Sequence, residues 1–84
     1  MSTSQQIKEA PVGAIFVHAS PGYARDLAQK YERTDIDVIP PERLEHPERY
    51  LGMHITGLIV NEGLKLTTKQ QRGLDRLKPY VGRV

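Results

Sequence analysis

Val12-Gly13-Ala14-Ile15-Phe16-Val17, followed closely by Ser20-Pro21-Gly22, is the stretch on which the fold turns. A nearly continuous apolar run of this length suits a strand buried on both faces, and therefore a central one. The break after it is chemically specific. Ser20 can cap a helix, and Pro21 suits a first helical position because the N–H it lacks would have no partner there. Beyond the break, Ala24, Leu27, Ala28 and Tyr31 recur at i, i+3, i+4 and i+7, which makes one apolar stripe of a helix whose Arg25, Asp26, Gln29 and Lys30 face water.

Working outward, Ile36-Asp37-Val38-Ile39 reads as a second, β-branched strand that Pro40-Pro41 stops. Pro41-Glu42-Arg43-Leu44 is echoed by Pro47-Glu48-Arg49-Tyr50. Each proline can open a helical turn with a glutamate at the positive end of its dipole, giving two short turns or one kinked helix that Gly52 terminates. Ile55-Thr56-Gly57-Leu58-Ile59-Val60 is a third strand, with Gly57 marking a close backbone approach. Asn61-Glu62-Gly63 is a turn with glycine at the left-handed position, which would fold Leu64-Lys65-Leu66 back as a short antiparallel strand. Thr67 or Thr68 caps a last helix, Gln70 or Gln71 completes a capping box, and Pro79 limits its length.

Alternating strands and helices predict a small two- or three-layer α/β domain, βαβαβ(β)α, with a mostly parallel three-stranded sheet of order 2-1-3. Residues 1–10 read as a flexible polar arm and residues 11–84 as the single domain. At 84 residues the chain has room for one core. Its 38% hydrophobic and 26% charged composition is that of a folded protein. The absence of cysteine removes disulfides, thiolate metal sites and cysteine nucleophiles, and fits a reducing, cytoplasmic setting. No run approaches the roughly 18 apolar residues that span a bilayer, so neither a membrane nor an export signal is expected. A sheet this narrow exposes its edges, and pairing of two copies into a homodimer is one way to hide them.

In open parallel sheets ligands gather beyond the carboxyl ends of the strands. That edge would carry His18, Ser20 and Gly22 after the first strand, Pro40 to Glu42 after the second, and Asn61 and Glu62 after the third. Helix amides beside Ser20 could hold a nucleotide or other phosphate-bearing ligand, although Pro21 removes one amide and neither a dinucleotide glycine pattern nor a P-loop lysine is present. Plain capping by Ser20 explains the same residues. His18, Ser20 and Glu62 also have the residue types of a catalytic triad, but no nucleophile elbow surrounds Ser20 and no enzyme is expected. His18, His46 and His54 lack metal-ligand spacing, and no cofactor is expected. Glu42, Glu45 and Glu48, interleaved with Arg43 and Arg49, read as a solvated mixed-charge face. Tyr23, Tyr50 and Tyr80 could anchor a partner, but half-buried rings at the domain edge are the commoner case.

Charge gives the strongest functional hint. Residues 1–63 hold six Lys/Arg against nine Asp/Glu, whereas residues 64–84 hold six against one. At about 100° per residue, Lys69, Arg72, Arg76 and Arg83 fall within roughly 60° of one another, and Leu74, Leu77 and Val81 lie some 140° away. With Lys65 just ahead, these cations make a basic face that could meet an acidic protein or, without sequence preference, nucleic-acid phosphates. A surface helix needs some polar face in any case, and basic residues suit its C-terminal turns. The expectation is a non-catalytic interaction module, a regulator or inhibitor that acts by occupying a partner's surface.

Overall fold

Ile15, Phe16 and Val17 are all buried, as a strand covered on both faces must be, and everything else is arranged around them. The computed structural model describes residues 2–51 and 54–82. Along the chain run α1 (Thr3–Glu9), β1 (Ile15–Val17), α2 (Pro21–Lys30), β2 (Asp37–Ile39), 3₁₀ turns at Pro41–Glu45 and Pro47–Arg49, β3 (Leu58–Val60), α3 (Thr68–Leu77) and a last 3₁₀ turn, Lys78–Tyr80. The sheet is parallel with order β2-β1-β3, the predicted order.

Strand pleating sorts the side chains into two cores. Phe16, paired with Val38 and Ile59, faces one layer, where Ile7 of α1 and Ala24 and Ala28 of α2 close over it. Ile15, Val17, Ile39, Leu58 and Val60 face the other, where Leu44, Tyr50, Ile55, Leu74 and Leu77 cover them. The result is a three-layer sandwich. The two Pro-Glu-Arg echoes form separate 3₁₀ turns, with Pro41, Leu44 and Pro47 buried. Gly52, expected to terminate this segment, lies outside the described residues.

Four expectations need correction. Residues 1–10 are not a flexible arm. Ser2 caps the Gln5 amide, Thr3–Glu9 is helical, and Ile7 is fully buried in the first core. The strands are also shorter than the apolar runs that hold them. Gly13, at φ +78°, sits in a turn closed by the Ala14 amide on the Pro11 carbonyl, which leaves Val12 exposed.

Leu64–Leu66 is no strand. The Asn61–Gly63 turn forms with Gly63 at φ +85°, but Leu64 and Leu66 turn their side chains into the second core on the way to the α3 cap. Lastly, α3 ends at Leu77, so Val81 is not on its apolar face. Val81 instead makes a parallel bridge to Ile55, where the Ile55 amide donates to the Tyr80 carbonyl and the Gly82 amide to the Ile55 carbonyl. Gly57 does mark a close approach, since a Cβ there would meet the Pro11 ring at 2.9 Å.

Candidate functional site

The carboxyl edge of the sheet brings His18, Ser20, Asn61 and Glu62 to the same end of the molecule, and the fold uses most of their polar groups itself. His18 is 9% exposed, edge-on to Phe16 and tilted against Tyr23. Its Nδ1 accepts the Ser20 amide at 2.8 Å, which leaves the neutral ring's proton on Nε2. The imidazole thus meets the backbone of Ser20. The Ser20 hydroxyl, although at the N-cap position, makes no capping bond.

Asn61 is occupied by α1. Its carboxamide donates to Thr3 Oγ1 (2.9 Å) and Gln6 Oε1 (3.1 Å), and the same Gln6 oxygen accepts the Glu62 amide. Gln6 Nε2 then donates to the Val60 carbonyl at 3.3 Å. With the Ser20 amide committed to His18 and Pro21 lacking one, only the amides of Gly22 and Tyr23 open this end of α2 to a ligand. Glu42 is exposed beyond β2, while Pro41 is buried beneath it.

Sequence reasoning missed the densest polar cluster. Glu32, at φ +58°, ends α2 in a left-handed turn in which the Arg33 amide reaches the Ala28 carbonyl and the Glu32 amide that of Gln29. The chain reversal aims Arg33 at α1. Its guanidinium donates to the carbonyls of Ile7 (2.9 Å), Lys8 (3.1 Å), Ala10 (2.7 Å) and Pro11 (3.3 Å), and pairs with both oxygens of Asp35. Asp35 also accepts the Gly13 amide at 2.8 Å. The Arg33 hydrogen bond, with the Gly13 amide, lowers the Asp35 carboxyl from 3.8 to about 2. This cluster binds the protein to itself.

The α3 face is different. Thr67 accepts the Gln70 amide while the Gln70 side chain accepts that of Thr67, the capping box expected of this pair. Gln70, Gly73, Leu74 and Leu77 turn inward, and Lys69, Arg72 and Arg76 stay exposed on the neighbouring flank. Gly73 lies against the Leu44 carbonyl, so the helix seats directly on the Pro41–Glu45 turn. Along this contact runs a shallow groove of about 210 Å³, floored by Leu44, Pro47 and Gly73 and edged by the three cations and Glu45.

Glu45 bridges the two elements. One of its oxygens lies 3.6 Å from Lys69 Nζ and the other accepts Gln70 Nε2 at 3.1 Å. Of the other predicted contacts, Lys65 is exposed ahead of the helix and Arg83 lies outside the described residues. On the far side of α3, Lys78 pairs with Asp75 at 3.2 Å, and the hydrogen bond from Gln71 is the main cause of a lowered Asp75 carboxyl.

Tyr50 is buried, Tyr80 half-buried and Tyr23 well exposed, so of the three tyrosines only Tyr80 matches the predicted half-burial. Among the described residues no three His, Asp or Glu side chains are grouped to hold a metal ion, and no helix is long and apolar enough to cross a membrane. Comparison with protein-family models, curated protein sequences and solved structures gives no match.

Proposed function

We propose that the protein is a non-catalytic interaction module whose α3 groove takes an acidic segment of a protein partner. The observation that carries this reading is the set of Lys69, Arg72 and Arg76 on one exposed flank, beside a groove with an apolar floor. Helical rise spaces these cations over about 10 Å, a length matched by a few residues of extended chain. Cations along the rim would steer an acidic partner, and Leu44 and Pro47 offer apolar contact beneath it. Glu45, already shared between Lys69 and Gln70, sets the register at one end.

Nucleic acid has less support. No tyrosine or phenylalanine lines the groove to stack a base, and residues 1–63 carry an excess of acid that would repel phosphates. A phosphate-bearing small ligand at the sheet edge has less again, because α1 already occupies Asn61. A regulator or inhibitor of this type works by covering its target's surface, and the lack of cysteine fits a cytoplasmic one.

The test is a titration of labelled Asp/Glu-rich peptide, with DNA and RNA of similar length as competitors, across a salt series. Peptide binding should weaken with salt and fall at least about tenfold in the folded Lys69→Glu, Arg72→Glu, Arg76→Glu variant. Unchanged affinity in that variant, or binding of nucleic acid alone, would replace this reading.

A further inference from the structure

The two edges of the sheet are finished differently. In a parallel strand, successive residues turn their N–H and C=O groups to opposite sides. The Asp37 amide reaches the Ala14 carbonyl and the His18 amide reaches the Ile39 carbonyl, so within β2 only Val38 faces outward. The Val38 carbonyl accepts Arg25 at 3.2 Å, the charged Asp37 precedes it, and Pro40 stops pairing beyond it. That edge is guarded in the usual ways.

The opposite edge is covered at one end only. Bonds from the Ile15 amide to Gly57 and from the Asn61 amide to Val17 turn Ile59 inward, which leaves Leu58 and Val60 with their backbone groups outward. The Gln6 carboxamide takes the Val60 carbonyl and the Glu62 amide at one end of this edge, which leaves the Val60 carbonyl its second lone pair and, among the described residues, the Leu58 N–H, the Leu58 C=O and the Val60 N–H open. Leu58, Ile59 and Val60 are all partly exposed and uncharged, and among the described residues no strand lies outside β3.

We propose that β3 pairs antiparallel with β3 of a second copy, about a two-fold axis at Ile59, to give one continuous six-stranded sheet. The occupant follows from the register. With the axis at Ile59, Leu58 faces Val60 of the second copy, and both are outward residues. They therefore form mutual hydrogen-bonded pairs, each copy donating two N–H groups and accepting two. Charge agrees with this register. Asn61 falls opposite Gly57 and Glu62 opposite Thr56, so no like charges meet across the axis. Pairing buries the exposed edge of three branched aliphatics on each copy, which the layers above and below the sheet leave uncovered.

Sedimentation equilibrium from about 1 µM to about 1 mM tests it, a range that brackets an interface of modest size. The mass should rise from 9.5 kDa towards twice that value. Leu58→Pro removes an outward N–H at the first position of an edge strand, where proline is tolerated, and should weaken association by at least about tenfold. Hydrogen exchange of the unaltered protein gives the same answer without a variant. Protection of the Leu58 and Val60 amides should grow with protein concentration, while that of Val38 on the guarded edge should not. A mass of one chain throughout, association that survives in folded Leu58→Pro, or concentration-independent exchange at Leu58 and Val60 would each overturn the proposal.

Discussion

The layer on one side of the sheet, made by α1 and α2, and the layer on the other, made by the 3₁₀ turns and α3, spend their polar groups differently. On the first side, Arg33 satisfies four carbonyls at the end of α1, and Gln6, Thr3 and Asn61 satisfy one another at its start. Little is left for a partner. On the second side the helix is seated by close backbone contact and a capping box, and Lys69, Arg72 and Arg76 are left in water. Residues with the look of a site in sequence serve the fold on one side, and residues with the look of an ordinary polar face remain available on the other.

The largest expected effect falls on that seating. A Cβ at Gly73 would be driven onto the Leu44 carbonyl oxygen, a backbone atom that cannot swing aside. Gly73→Ala therefore loses several kcal/mol, about 3 or more, even though alanine is the better helix former. Denaturant unfolding should show the loss, and peptide binding at the groove should go with it. A stable variant would mean that α3 stands further from Leu44 and that the groove is not built as described.

The strand order, the two main helices and the Thr67–Gln70 capping box were legible because each rests on local periodicity or capping chemistry. Gly73 was legible in principle. A glycine inside an amphipathic helix costs about 1 kcal/mol against alanine and so points to a close neighbour. The helix at α1 left two traces, Ser2 three residues before Gln5 and the lone apolar Ile7, which are weak beside an otherwise polar run. The Arg33 clamp left none. Beyond Asp35, an ordinary neighbouring pair, its partners are carbonyls more than twenty residues away, and backbone carbonyls have no sequence signature. The same blindness to distance made His18, Ser20 and Asn61 resemble a site, since nothing local shows that α1 folds back to claim Asn61.

A second, smaller effect sharpens the first side of the comparison. Arg33→Ala should cost about 2 kcal/mol, the scale for removing a charged donor from several carbonyls at once, two of them partly buried, and should speed hydrogen exchange throughout α1 ahead of global unfolding. Its partner adds a pH signature. The folded Asp35 carboxyl is held near 2 against an ordinary 3.8, so its contribution is fully present above about pH 4 and is lost as the pH falls through 2. Asp35→Asn should then be less stable than the parent at neutral pH, and the two should converge as acid is added. A constant gap down to pH 2 would show that the carboxylate's charge is not what holds the clamp.

The smallest effects compare two hydroxyls at equivalent positions, one before α2 and one before α3. Both Ser20 and Thr67 occupy N-caps, but only the Thr67 hydroxyl accepts a helix amide, at 3.2 Å from Gln70. The work at Ser20 is done by its own amide on His18, which any residue except proline supplies. Thr67→Ala should thus lower stability by about 1 kcal/mol, whereas Ser20→Ala should stay within about 0.5 kcal/mol of the parent. Matched thermal melts decide between them. An equal loss at both positions would mean that the Ser20 hydroxyl caps α2 after all, and the carboxyl edge of the sheet would then hold more ordered polar groups than those bound to His18 and α1.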